Sequence, residues 1–175
     1  MFMISPLPKR MMKFLFDRGL SIWVLPKELE RARQLLYGHL RHPRRIEAFP
    51  KQESCRIAHY NHVTKRIILP ERYIYPIRHN VPIHEIGHAL DHLYYGNRWL
   101  SAHPKIEPLL KDNPLDKHCA RCDKETGLYL EQFATSFEAY FNEPQNNKGP
   151  YFHTIDDINP KLLRIIHDKL VEPFR

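Results

Sequence analysis

Residues 82–91 read Pro-Ile-His-Glu-Ile-Gly-His-Ala-Leu-Asp, and this stretch governs the interpretation of the whole chain. His84 and His88 are four residues apart, so on a helix they project from one face and can bind one Zn²⁺ together. Glu85 lies beside them, where it can act as the general base on water at the metal. The stretch therefore predicts a helix that carries a catalytic zinc site.

The flanking residues predict where this helix begins and ends. Asn80 is suited to the N-cap, Pro82 to the first turn and Gly96 to a left-handed residue after the last turn. We therefore expect a helix over about residues 81–95. Its apolar stripe comprises Ile83, Ile86, Leu90 and Leu93. The two histidines and Asp91 lie on a different face, so they are not predicted to fill the core.

Length and charge set the broad class of the protein. With 175 residues, 42% of them hydrophobic, the chain can bury one core. We expect one domain over residues 1–175, with a helix-and-strand part over 1–79 and a metal-binding helical part over 80–175. The chain has 27 Lys and Arg against 20 Asp and Glu, a net charge of +7. A basic surface could attract nucleic acid or an acidic substrate, although charge alone describes only solubility and steering.

The sequence also gives an expectation for the cellular location of the protein. Two prolines interrupt the apolar residues at the start of the chain, so no signal peptide is recognised. No stretch approaches the length of a membrane span. The three cysteines are too few for a disulfide framework. We expect a cytoplasmic location, with secretion by another route left open, and the sequence does not predict an oligomeric state.

Hydrophobic periodicity predicts an α+β fold. We expect helices over residues 9–17, 27–40 and 128–142, and a last helix after Asn159, which caps it. We expect a strand over residues 20–25 and a hairpin of strands over 55–60 and 65–69. One hairpin strand could form the edge beside which an extended peptide binds. The result would be a small antiparallel or mixed sheet packed on the active-site helix, followed by a helical C-terminal half.

Two histidines do not complete a catalytic zinc site, which needs three protein ligands. Glu131 and Glu138 lie on the predicted helix 128–142, seven residues apart and nearly on one face. Ala134 lies between them and is small enough to let this helix approach the small Gly87. Spacing alone leaves the choice between the two glutamates open.

A family resemblance favours one of them. The segment His-Glu-Ile-Gly-His-Ala-Leu-Asp, followed about forty residues later by Glu-Gln-Phe-Ala-Thr-Ser-Phe at 131–137, resembles the catalytic domain of anthrax lethal factor and its relatives, including the Pro-Pro endopeptidases. The resemblance implies a zincin-like fold and a zinc metallopeptidase that acts on a peptide or protein substrate. The family motif is Glu-x-Phe-Ala-x-x-Phe with its first Glu on zinc, which implies that Glu131 is the third ligand.

The sequence departs from this family at one position. The family has a tyrosine seven residues before the ligand glutamate, where it can stabilise the oxyanion, and Lys124 stands there in this chain. Tyr129 is predicted to point away from the metal because it lies two residues from Glu131 on the same helix. A shifted loop could instead bring in Tyr129, Tyr151, His118 or Lys124 itself, so the role stays open.

Several further residues have more than one interpretation. Asp91 is either a hydrogen-bond acceptor for a metal-binding histidine or a polar residue near the helix end. Cys119 and Cys122 form a lone Cys-x-x-Cys, for which two reduced thiols are favoured over a second metal site. The alternative function is a basic nucleic-acid-binding protein with a structural or inactive zinc site. Its predicted nucleic-acid contacts are Arg41, Arg44 and Arg45. A third possibility is a zinc hydrolase of a substrate other than a peptide.

Overall fold

The computed structural model describes residues 7–24, 46–48, 58–69, 80–112, 129–142 and 153–175. In chain order these form α1 (Lys9–Asp17), β1 (Ser21–Val24), β2 (Ile46–Ala48), β3 (His59–Asn61), β4 (Arg66–Leu69), α2 (Val81–Leu93), α3 (Glu107–Lys111), α4 (Leu130–Phe141) and α5 (Pro160–Ile165). A 3-10 turn, Ile155–Asp157, precedes α5, which continues into a π-helical segment, Ile166–Val171, and a terminal 3-10 turn, Glu172–Phe174. The α+β class is as predicted, and the predicted helix over residues 27–40 lies outside the described residues.

The described strands form one mixed sheet in the order β2-β1-β4-β3. β1 runs parallel to both β2 and β4, whereas β3 and β4 pair antiparallel. The predicted hairpin is therefore confirmed, and β3 lies at an edge of this sheet. On one face the β1–β4 register places Ile22 beside Ile67 and Val24 beside Leu69. All four side chains are buried in the core because side chains alternate between the faces of a strand.

The helix α2, which carries His84 and His88, is largely buried in this core. Its predicted apolar stripe is almost entirely shielded from solvent: Ile83, Ile86, Leu90 and Leu93. The helix ends at Leu93, two residues before the predicted end, and Nε of Arg18 donates to the Leu93 carbonyl at 2.9 Å. Gly96 has φ +69°, the left-handed conformation predicted for it. The fold therefore holds the C-terminal end of the element that carries the two histidines.

Asn80 precedes α2 as predicted, but its side chain does not cap the helix. Its backbone N–H instead donates to Oε1 of Glu138 at 2.6 Å, and its carbonyl accepts the first helical hydrogen bond from the His84 amide. Asn80 is therefore the N-cap residue as predicted, but it lacks the side-chain hydrogen bond that such a residue usually makes. Glu138, a carboxylate of α4, thus satisfies the backbone N–H that precedes α2.

α4 packs closely against α2. A Cβ atom built at Gly87 would lie 2.9 Å from Cα of Ala134, 3.3 Å from its carbonyl oxygen and 3.4 Å from its Cβ. Carbon atoms in contact are normally about 3.5–4.0 Å apart. The helices therefore approach so closely that only a hydrogen atom fits at position 87, as the small residues on the two helices predicted.

The C-terminal helix covers the other side of the core. Asn159 caps α5 as predicted, because its Oδ1 accepts a hydrogen bond from the Lys161 amide at 3.0 Å. The buried side chains of this region are Leu162, Ile166, Leu170 and Val171. Within the residues that the structure describes, no helix is long and apolar enough to cross a membrane.

Candidate metal centre

α2 and α4 bring together three of the residues that the sequence predicted as ligands. Nε2 of His84 lies 3.2 Å from one carboxylate oxygen of Glu131, and Nε2 of His88 lies 3.3 Å from the other. The ligand atoms of all three residues lie within 4.8 Å of one another. These residues could therefore hold a metal ion, with two nitrogen ligands from one helix and an oxygen ligand from its neighbour.

The cluster is accessible to solvent but not fully exposed. The side chains of His84, His88 and Glu131 are 18%, 12% and 28% exposed. Structural zinc sites are closed by four protein ligands, whereas catalytic sites use three and keep one position open. Three candidate ligands that remain partly exposed match the second pattern.

The charges in the cluster depend on one another. Burial lowers the pKa of His84, but the carboxylates of Glu131 and Glu138 outweigh this effect and hold that pKa well above its usual range. Burial alone would raise the pKa of Glu131, and hydrogen bonds from His84 and His88 reverse this and hold it well below its usual range. A metal ligand must be deprotonated, so an ion and a proton compete for the His84 ring.

Glu138 lies at the opposite side of the His84 ring from Glu131. One of its oxygens is 3.4 Å from Nδ1 of His84, and the other accepts the backbone N–H of Asn80. The side chain is buried, with the residue only 4% exposed. The ligand group therefore contains Glu131, while the alternative glutamate contacts the ring nitrogen that faces away from it.

Glu85, the predicted general base, is buried beside the cluster. The residue is 6% exposed, and its Oε2 has no hydrogen-bond partner within the described part of the chain. Its charge lies close enough to His84 to contribute to the raised pKa of that imidazole. A buried carboxylate oxygen without a partner is rare, and a catalytic role is one of the recognised reasons for it.

Asp91 is fully buried, three residues after His88. Its Oδ1 accepts a hydrogen bond from the Ser101 amide at 2.7 Å, and its carbonyl accepts one from the Leu100 amide at 2.9 Å. The carboxylate thus holds the segment that follows α2, instead of accepting the predicted hydrogen bond from a histidine. Burial raises the pKa of Asp91 to about 7, with the contacts to Ser101 and the charge of His88 opposing the shift.

The remaining predictions for the site concern mainly residues that the structure does not describe. Tyr129 is the residue before α4, and it is partly buried against the core. Outside the described ranges lie Lys124, Tyr151, His118, Cys119, Cys122, Arg41, Arg44 and Arg45. The oxyanion, thiol and nucleic-acid predictions that depend on them stay predictions.

The structure also shows contacts that the sequence analysis did not find. The Tyr60 hydroxyl lies 3.0 Å from Nδ1 of His92, and it links the edge strand β3 to the last turn of α2. The contact of Glu138 with His84 was missed as well. The only sequence signal for it was the spacing of Glu138 from Glu131, which placed both carboxylates on one face of α4.

Comparisons of this chain with protein-family models, with curated proteins and with solved structures found no significant match. The resemblance to the lethal factor family therefore depends on the two sequence segments quoted above.

Proposed function

We propose that this protein is a zinc-dependent metallopeptidase. In this proposal His84, His88 and Glu131 bind Zn²⁺, and Glu85 is the general base. The observation that carries the proposal is the approach of two imidazoles and one carboxylate to within 4.8 Å, from two helices that pack at Gly87. Two histidines and one glutamate are an established ligand set of catalytic zinc in peptidases.

The arrangement around the site supports a zincin-like fold. The antiparallel edge strand β3 lies beside α2, and the hydroxyl of Tyr60 links it to His92 on that helix. A strand at the edge of the described sheet is suited to an extended peptide, because backbone groups of the strand can pair with those of the substrate. This placement favours a peptide over a compact small molecule as substrate.

The ligand number favours an enzyme over a protein with a structural zinc. A fourth ligand is not found among the described residues near the cluster, and the three that are present remain partly exposed. The alternative of a nucleic-acid-binding protein depends on arginines outside the described ranges. No contact in the described part of the chain favours it.

The chemistry follows from the positions of the side chains. Zinc in such a site acts as a Lewis acid and lowers the pKa of water to about 7. Glu85 has a buried oxygen that can accept a proton from the attacking water. As the water oxygen bonds to the peptide carbonyl carbon and the carbon–nitrogen bond breaks, Glu85 delivers that proton to the leaving amine. The reaction consumes one water molecule for each peptide bond cleaved.

Glu85→Gln tests this function. The glutamine keeps the shape of the side chain but cannot accept the proton, so we expect the variant to retain zinc and to lose peptide hydrolysis by several orders of magnitude. The assay compares cleavage of a peptide library by the wild type and by the variant, both with measured zinc content. Equal cleavage by the variant would rule out Glu85 as the base, and a zinc-loaded wild type that cleaves no peptide would refute the proposed activity.

A further inference from the structure

Glu138 contacts the metal-binding helix at two points, although it does not belong to the ligand group. We infer that Glu138 is a positioning residue: it holds the His84 ring in the orientation and tautomer that a metal ion needs, without binding the ion itself. This inference rests on the proposed metal site, and it assigns a function to a buried acid that the ligand set leaves unexplained.

Glu131 and Glu138 face different nitrogens of the His84 imidazole. Glu131 lies 3.2 Å from Nε2 of His84, and Glu138 lies 3.4 Å from Nδ1. The two nitrogens are at different positions of one rigid ring, so Glu138 cannot share an ion held at Nε2. An ionised carboxylate only accepts hydrogen bonds, so Nδ1 must carry the hydrogen that faces Glu138. Glu131 faces Nε2 in the same way, so Nε2 must give up its own proton before its lone pair can bind the metal, and the tautomer that remains has its hydrogen on Nδ1, facing Glu138.

The second oxygen of Glu138 fixes the carboxylate in place. It accepts the N–H of Asn80 at 2.6 Å, and this residue directly precedes α2. Both oxygens therefore face donors at the start of the same helix. A buried carboxylate, here only 4% exposed, is stable only when such donors surround it. Glu138 thus connects the backbone at the start of α2 to the ring that must meet the metal.

The position of Glu138 on α4 accounts for this division of roles. The two helices run in opposite directions. Glu131 contacts His84 and His88, Ala134 contacts Gly87, and Glu138 contacts the start of α2. Glu138 lies seven residues beyond Glu131, which is two turns or about 10 Å of helix rise. Two carboxylates on one face of α4 can therefore contact the two ring nitrogens of His84.

Glu138→Gln tests the inference, because an amide has a single acceptor oxygen where the carboxylate has two. One of the two donors, the Asn80 N–H or the Nδ1–H of His84, must then lose its partner. Outer contacts of metal-bound histidines typically contribute about 10–100-fold to metal affinity. We expect the zinc dissociation constant of this variant to rise by about that factor, with one ion still bound at saturation.

The experiment measures zinc binding by competition with a chromophoric chelator, and so does not depend on catalysis. Glu131→Gln provides the reference for a lost ligand. Phe137→Leu provides the matched control, because it alters a fully buried side chain next to Glu138 without changing a polar group. We expect Phe137→Leu to bind zinc with the wild-type affinity.

Nitrogen-15 NMR of the zinc-loaded wild type gives a second readout that needs no variant to fold. We expect His84 to coordinate through Nε2 and to carry its hydrogen on Nδ1. Coordination of His84 through Nδ1 would overturn the inference. So would wild-type zinc affinity in Glu138→Gln, or a loss of zinc as complete as that in Glu131→Gln, which would make Glu138 a ligand. A wild type that binds no zinc would instead refute the proposed function, and the inference with it.

Discussion

The close packing of α2 on α4 predicts that Gly87→Ala damages the metal site more than it damages the fold. The added Cβ would lie 2.9 Å from Cα of Ala134, so the helices must separate by about 0.6 Å to reach an ordinary contact. Gly87 lies between the two histidines in sequence, and Ala134 follows Glu131 by three residues. The separation therefore pulls the carboxylate away from both imidazoles.

Two effects on stability oppose each other in this variant. Overpacking costs about 1–3 kcal/mol, whereas replacing glycine by alanine inside a helix gains about 1 kcal/mol. We expect the free energy of unfolding to fall by about 0–2 kcal/mol. Ligand distances in metal sites tolerate about 0.2 Å, so the shift exceeds that tolerance, and zinc affinity should fall by about tenfold or more.

The assay pairs chelator competition with urea unfolding. Gly96→Ala is the matched control: Gly96 has φ +69° and no atom within 4 Å of an added Cβ. It should lose about 1 kcal/mol of stability to backbone strain and keep the wild-type zinc affinity. Adding Ala134→Gly to Gly87→Ala should not restore binding, because the closest atom is a backbone carbon. Wild-type zinc affinity in Gly87→Ala would refute the account of the packing.

Two further predictions address the charge of the protein. The raised pKa of Asp91, about 7 against 3.8 in an unfolded chain, means that the folded state holds this proton longer than the unfolded state does. The free energy of unfolding of the wild type therefore falls as pH rises. Without metal, the free energy of unfolding of Asp91→Asn relative to that of the wild type should rise by about 3 kcal/mol from about pH 5 to pH 8. A pH-independent difference in urea unfolding would show that the buried carboxylate is ionised without cost. In the second, turnover of peptides should vary modestly with salt. Tight nucleic-acid binding that weakens steeply with salt, without peptide cleavage, would favour the alternative function.

Local patterns predicted the elements that carry the site. The apolar stripe of α2 repeats at helical spacing, and Gly96 follows where a left-handed residue was expected, so the sequence alone indicated this helix. The hairpin of β3 and β4 was equally predictable, because its strands are adjacent in sequence. These features depend on neighbouring residues, and periodicity reports on such contacts directly.

Long-range pairing was not predictable in the same way. β2 spans only Ile46–Ala48, too few residues for an alternating pattern to be recognised, and its parallel pairing with β1 joins segments that are distant in sequence. The predicted third ligand posed a similar problem, because spacing alone did not choose between two glutamates. Glu131 and Glu138 share a face of α4, and only the packing of Gly87 on Ala134 determines which of them reaches both histidines.

Zinc content measured by elemental analysis tests the central claim most directly. The account predicts about one Zn²⁺ per chain in wild-type protein supplied with zinc, and almost none in His88→Ala or Glu131→Ala. Both variants should be shown by circular dichroism to retain their helices, so that a loss of zinc reports on the site. Wild-type protein that stays free of zinc, or Glu131→Ala that still holds one ion, would contradict the claim that these residues form a zinc site.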